Sequence, residues 1–156
     1  MISGKLVHLI QTHADQILKR VAYEIRRQQD LSHIRALFDD ELREWNLELL
    51  EGISFWLSPA NQENLCHRYR DLGRRRFGQH IPLHESVRAL CLMREKTLDF
   101  AEEHIASNSS VDLCAEAELD RRLLAFFDLL ITQTVRGYEC ALREAAGAQS
   151  LPLAPV

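Results

Sequence analysis

The sequence predicts an all-α domain built from five or more helices. Apolar residues recur at three- and four-residue spacing through most of the 156 residues, which is the periodicity of helices with one buried face. No stretch alternates in the manner of a strand, and only six glycines and four prolines interrupt the chain. A chain of this length buries about two-thirds of the surface that it exposes when unfolded, so we expect one domain with one core.

Two helices are predicted in the first third of the chain. The first spans about residues 5–28, where Asp15 and Lys19 are spaced to pair on its outer side. The second spans about residues 31–50 and ends before Gly52, a residue that permits a turn. The predicted inward positions of this second helix are Ile34, Phe38, Leu42, Trp45 and Leu49.

We call residues 69–98 the elbow. This segment contains the end of the third predicted helix, the turn that follows it and the start of the fourth predicted helix. The third helix begins near Pro59, with Ser58 as its cap, and ends near Gly78. The fourth begins at Pro82 and continues to about residue 105, followed by a loop over residues 106–110. Its predicted apolar face consists of Leu83, Val87, Leu90, Arg94, Leu98, Ala101 and Ile105.

The last predicted helix spans about residues 111–146, roughly 50 Å at 1.5 Å per residue. It carries two apolar stripes, and a surface helix needs only one. The first stripe is Leu113, Ala117, Leu124, Phe127, Ile131, Thr134, Tyr138 and Ala141. The second is Leu119, Leu123, Phe126, Leu130, Gln133 and Gly137. We expect the second stripe to form the interface of a homodimer. The domain would cover residues 1–146, and residues 147–156 would be a flexible tail or the start of a linker.

Composition excludes several classes of function. A net charge of −4 and a pI near 6.0 argue against a nucleic-acid surface, which needs a basic face. The N-terminus lacks the apolar core of a signal peptide and the length of a membrane span. The four cysteines are widely spaced within helical patterns, which indicates buried reduced thiols rather than a disulfide or zinc site. These features predict a cytoplasmic protein that contacts neither nucleic acid nor membrane.

The elbow also resembles a known family. Residues 72–77 (LGRRRF) and 81–90 (IPLHESVRAL) resemble the central signature of the N-terminal domain of RsbR-type co-antagonists of the bacterial stressosome. A similar domain precedes some sensor histidine kinases, and the resemblance extends over about residues 6–143. It implies a globin-like fold without haem that dimerises and acts as an input module. The effector would be a phosphoacceptor STAS domain or a kinase core, in cis or in trans.

The candidate residues for ligand binding, partner binding or phosphotransfer lie at the elbow. Arg74, Arg75, Arg76 and Arg88 can hold an anionic ligand or the acidic face of a partner, or can simply form solvated ion pairs with Asp71 and Glu85. His84 begins a helix and is a candidate phosphoacceptor, or an ordinary surface residue. No nucleophile triad, phosphate loop or metal-ligand spacing is present, so we predict a non-enzyme without a cofactor.

Two alternatives to this input domain remain. One is a globin-like sensor that binds haem or a small anion near the elbow, for which a proximal histidine must face an apolar pocket. The other is a phosphotransfer bundle that uses His84. Periodicity alone does not distinguish crossed packing from an up-down bundle, but the family resemblance favours globin-like crossed packing.

Overall fold

The computed structural model describes residues 4–37, 41–104 and 110–149. These ranges contain helices and turns and no strand, which confirms the all-α class. Short 3₁₀ helices lie at Gln29–Leu31 and Pro59–Asn61. The α-helices are α1 Gly4–Thr12, α2 Ala14–Arg27, α3 Ser32–Leu37, α4 Arg43–Glu51, α5 Ile53–Trp56, α6 Gln62–Gly78, α7 Leu83–Glu103 and α8 Ser110–Gln149.

The long last helix packs mainly against α6 and α7. The most extensive contact is between α6 and α8, followed by α7 with α8 and α2 with α7. The consecutive helices α6 and α7 touch much less, although neighbours along the chain are the main partners in an up-down bundle. The order of contacts therefore differs from that of a simple up-down bundle, and α7 connects α2 to α8.

A single hydrophobic core joins all the long helices. Aliphatic residues from α1 and α2 meet residues from α4, α6, α7 and α8 in one cluster of buried side chains. Burial of this apolar surface is the main source of stability for the fold. The largest fully buried apolar side chains include Tyr69, Phe100, Phe127, Ile10, Ile17, Leu18, Ile25, Leu31, Ile34, Leu49 and Leu50.

The first predicted helix is divided in the structure. It is interrupted at His13, where the backbone leaves helical geometry for one residue between α1 and α2. Within the range of the second, the structure describes α3 and α4, and residues 38–40, which include the predicted inward residue Phe38, lie outside the described ranges. The predicted pair of Asp15 and Lys19 is confirmed, with 3.2 Å between the charged groups.

The third helix agrees closely with the prediction, whereas the buried face of the fourth was predicted only in part. Leu90 and Ala101 are buried, but Leu83, Val87, Arg94 and Leu98 are only partly buried. Pro59 opens a 3₁₀ turn that leads into α6, and α6 ends at Gly78. In α7 the buried residues include Glu85 and Thr97, which the apolar pattern left out. Thr97 is tolerated in the core because its hydroxyl donates to the carbonyl of Met93 at 2.7 Å. Residues 105–109 lie outside the described ranges.

The second stripe of α8 is core, which corrects the prediction that it forms a dimer interface. Leu119, Leu123 and Leu130 are completely buried within the single chain, and Phe126 and Gln133 are 6% exposed. These side chains are covered by the chain's own helices, chiefly α6 and α7, so they are not available to a second molecule. The helix also continues to Gln149, beyond the predicted start of the tail at residue 147.

All four cysteines are free, but Cys114 is exposed and the other three are only partly buried, so the expectation of buried thiols was wrong for Cys114. Across residues 4–37, 41–104 and 110–149, no helix combines the length and the apolar character needed to cross a bilayer.

Candidate functional site

Two backbone hydrogen bonds fix the turn that follows α6. The amide of His80 donates to the carbonyl of Phe77 at 3.0 Å, and the amide of Ile81 donates to the carbonyl of Arg76 at 3.0 Å. This pair of bonds is the Schellman arrangement, in which one residue adopts the left-handed conformation. That residue is His80, with φ of 59°, and not Gly78. The bonds fix the direction in which α7 leaves α6.

Helix α8 contacts this turn directly. The hydroxyl of Tyr138 donates to the carbonyl of Ile81 at 2.8 Å. The ring of Tyr138 also packs edge-on against Phe77, with 5.4 Å between the ring centres. The turn is therefore joined to α8 by a hydrogen bond and by an aromatic contact.

The first of the three consecutive arginines is directed at the C-terminal part of α8. One guanidinium nitrogen of Arg74 lies 3.0 and 3.1 Å from the two carboxylate oxygens of Glu144. The hydrogen bond to Glu144 raises the pKa of Arg74. Both side chains are largely exposed, so this pair contributes little to the stability of the fold.

The second and third arginines share one carboxylate on the opposite side of α6. Arg75 lies 2.7 Å from Glu41 and Arg76 lies 3.2 Å from it. Gln79 accepts from Arg76 at 2.7 Å and donates to Glu41 at 3.0 Å. Arg76 is only 1% exposed, and desolvation lowers its pKa. Burial raises the pKa of Glu41, but the hydrogen bonds from Gln79 and Arg76 outweigh it, so the net pKa is lowered.

The five elbow residues selected from the sequence do not form one binding site. Arg74 is directed at α8, and Arg75 and Arg76 at Glu41. Arg88 donates to the side-chain oxygen of Gln28, at the end of α2, at 3.3 Å. His84 is exposed at the start of α7. The residues diverge because consecutive helical positions point about 100° apart.

Two glycines allow α6 and α8 to approach at backbone distance. A Cβ added to Gly73 would overlap the carbonyl oxygen of Thr134, and a Cβ added to Gly137 would overlap the carbonyl oxygen of Arg70. Arg70 also donates to the side-chain oxygen of Gln133 at 2.9 and 3.2 Å. Because these hydrogen bonds satisfy that oxygen, the polar side chain of Gln133 can be buried. Gly73 belongs to the LGRRRF signature and Gly137 to the predicted dimer stripe, and neither pattern indicated this contact.

A buried carboxylate was also missed. Glu85 is 1% exposed and accepts from the backbone amide of His33 at 3.2 Å. Its other oxygen lies 3.0 Å from the ring nitrogen of His33, although without hydrogen-bond alignment. The sequence suggested a solvated partner for Arg88, and periodicity carries no signal for a buried charge. Glu85 therefore connects the start of α7 to α3.

Gly73, the three consecutive arginines and the turn before α7 thus have separate structural roles. All of them lie within a stretch that matches one protein family. Residues 13–151 match the family described as the RsbT co-antagonist protein RsbRD N-terminal domain. The chain belongs to this family. The RsbRD N-terminal domain is a non-catalytic, sensory region of signalling proteins. No curated protein and no solved structure matches the chain.

The histidines of this RsbRD N-terminal domain do not have the position of a haem ligand. All seven lie within the described residues, and none of them is buried. An axial histidine has to face an enclosed apolar pocket. In the described ranges there is also no group of three or more metal-binding side chains. The geometry therefore gives no support to the haem alternative.

Proposed function

We propose that this domain is the non-enzymatic input module of a bacterial signal-transduction protein, and that α8 transmits its output to an effector in cis or in trans. Two observations support the proposal. The family match identifies a sensory domain, and α8 is one continuous helix of 40 residues. The middle of α8 is part of the core, and its last turns, residues 142–148, are mostly exposed.

The proposed route to the end of α8 rests on the links between the elbow and the second half of this helix. They are the Tyr138 hydrogen bond to Ile81, the Arg74 pair with Glu144 and the backbone approach at Gly73. A ligand or partner that displaces the elbow would therefore also displace the end of α8. The size of the response is limited by the difference in its affinity for the two arrangements.

We further propose that two copies pair through the exposed side of α8. Four of the six large hydrophobic side chains that are exposed in the described residues belong to this helix: Val111, Leu113, Leu124 and Leu142. Leu113, Leu124 and Leu142 are separated by 11 and 18 residues, near three and five helical turns, and so share one face. This face extends for roughly 44 Å. A second copy offers an equivalent face, as a two-fold dimer requires.

Sedimentation equilibrium of a surface variant tests this interface. The double substitution Leu124→Asp and Leu142→Asp should convert a dimer into a monomer, because carboxylates would be buried without partners in the interface. The fold should survive, since both side chains are already 43 to 50% exposed. Tyr23→Asp is the matched control, because Tyr23 is 60% exposed on α2. If the double variant remains a dimer, the exposed face of α8 is not the dimer interface.

A further inference from the structure

A groove of about 330 Å³ lies between the first half of α8 and the segment that connects α5 to α6. The groove is partly open to solvent, and its volume is in the range of pockets that hold small organic ligands. Its lining includes Trp56, Leu57 and Ser58 from the connecting segment and Arg122, Phe126 and Leu129 from α8. A small molecule, and not a single ion or water molecule, is the occupant that this volume admits.

Most of the lining is apolar and already in place. Leu65 is 1% exposed and Phe126 is 6% exposed, so the core holds both side chains in position. The indole of Trp56 is covered on another side by Arg68, whose guanidinium carbon lies 5.4 Å from the ring centre. The groove therefore does not have to form when a ligand arrives, which lowers the cost of binding.

The guanidinium of Arg122 lies at this groove without a carboxylate partner. Its Nη2 atom donates to the backbone carbonyl of Leu57 at 3.3 Å, and a guanidinium has five N–H donors in all. No carboxylate of the described residues lies within ion-pair distance of half-buried Arg122, and none lines the groove. Arg68 differs, because it pairs with Glu48 at 2.9 Å. The positive charge of Arg122 is therefore available to an anionic ligand.

We propose that this groove binds a small carboxylate whose body is one aromatic ring or a short alkyl chain. The planar fork of Arg122 matches the two oxygens of a carboxylate. The body of the ligand packs against the rings of Trp56 and Phe126. An uncharged apolar molecule would leave the guanidinium unpaired, and an inorganic anion would leave the apolar lining in contact with water.

The groove is separate from the face of α8 that we propose for the dimer. At 100° per residue, Arg122, Phe126 and Leu129 lie about 140–160° around the helix from Leu124. A bound carboxylate would therefore connect the α5–α6 segment to α8 without competing with a second copy. The site does not rest on the proposed input function, and the experiments below fail or succeed independently of the dimer.

Titrations followed by nuclear magnetic resonance test the ligand class. Phenylacetate and hexanoate are the probes, and phenylacetamide is the uncharged control of the same shape as phenylacetate. Both carboxylates should cause saturable shifts of the Trp56 indole N–H and of the amides of residues 122–129, and Trp56→Phe assigns the indole signal. Phenylacetamide should bind at least about tenfold more weakly than phenylacetate, because it cannot form the charged pair with Arg122.

Two neighbouring arginines provide the matched variants. Arg122→Gln should weaken phenylacetate binding by at least about tenfold, and the remaining amide spectrum should show an intact fold. Arg121→Gln is the control, because Arg121 is exposed and points about 100° away on the same helix. The control variant should bind phenylacetate like the unaltered chain.

Four results would overturn the proposal. They are the absence of saturable shifts with both carboxylates, equal affinity for phenylacetate and phenylacetamide, equal affinity of the Arg121 and Arg122 variants, and shifts confined to residues outside the groove. A shift of the Trp56 indole signal on dilution without any carboxylate would also overturn it, because a second copy of the chain would then occupy the groove.

Discussion

Gly73 and Gly137 form a reciprocal contact between α6 and α8. The space for a Cβ at Gly73 is taken by the carbonyl of Thr134, about one turn before Gly137. The space for a Cβ at Gly137 is taken by the carbonyl of Arg70, about one turn before Gly73. Each glycine therefore makes room for the backbone that precedes the other, and the most extensive helix contact of the domain depends on both.

Alanine at either glycine should destabilise the domain. The added methyl group meets backbone, which cannot rotate away, so Gly73→Ala and Gly137→Ala should each lower the free energy of unfolding by at least ~1–3 kcal/mol. Urea denaturation followed by circular dichroism measures this. Gly78→Ala is the matched control, because a Cβ at Gly78 meets nothing within 4 Å. Equal stabilities for all three variants would show that α6 and α8 do not approach this closely.

The three consecutive arginines should respond very differently to alanine. Arg76→Ala removes a buried guanidinium from its pair with Glu41 and should cost about 3–5 kcal/mol of stability. Arg74→Ala removes an exposed pair with Glu144 and should leave global stability unchanged within error. Parallel urea titrations of the two variants provide the comparison. A similar loss in both would contradict the burial of Arg76.

Glycine at position 80 should stabilise the elbow. His80 has φ of 59°, a conformation that costs a residue with a Cβ roughly 1 kcal/mol and costs glycine nothing. His80→Gly should therefore raise the Tm by a few degrees, the shift that about 1 kcal/mol gives in a domain of this size. His84→Gly, which places glycine in the first turn of α7, should lower it. A destabilising His80→Gly would mean that the Schellman turn is absent.

Asp120 should destabilise the fold when it is ionised. Burial, and then the charge of Glu102, raise its pKa above the value in the unfolded chain. The penalty is therefore present at neutral pH and disappears as the pH falls through the folded pKa. Asp120→Asn should raise the Tm slightly at pH 7, and the difference should vanish below about pH 4. Tm measurements across this range check the sign, and a lower Tm for Asp120→Asn at pH 7 would contradict it.

Helical periodicity was sufficient to predict the all-α fold class, the bounds of α6 and most of the extent of α8. It was insufficient at His13, where one residue leaves helical geometry without any change in the apolar pattern. It also predicted the buried face of α7 only in part, because Glu85, Ser86 and Thr97 are polar residues in the core. Their burial depends on partners from distant parts of the chain, such as His33 for Glu85, and spacing cannot identify them.

The candidate site shows the same limit. The run at positions 74–76 is uniform in the sequence, yet the helix turns the three side chains toward α8, Glu41 and the core. The second stripe of α8 was correctly recognised as one apolar face, whereas the first combines the exposed Leu113 and Leu124 with the buried Phe127 and Thr134. The choice between core and interface needs the neighbouring helices. Gly137 belonged to the stripe that is buried, and its lack of a side chain was the signal of a close helix contact.

The most direct test of the central claim, that the elbow controls the end of α8, is hydrogen exchange of residues 139–149 in an Arg74→Ala variant. This substitution leaves α8 itself unaltered and removes its pair with Glu144. We expect faster exchange in residues 139–149 and unchanged exchange in the core. Arg75→Ala is the control, because Arg75 pairs with Glu41 instead, and it should leave residues 139–149 unaffected. Identical exchange of these residues in Arg74→Ala and the unaltered chain would contradict the proposed route from elbow to output.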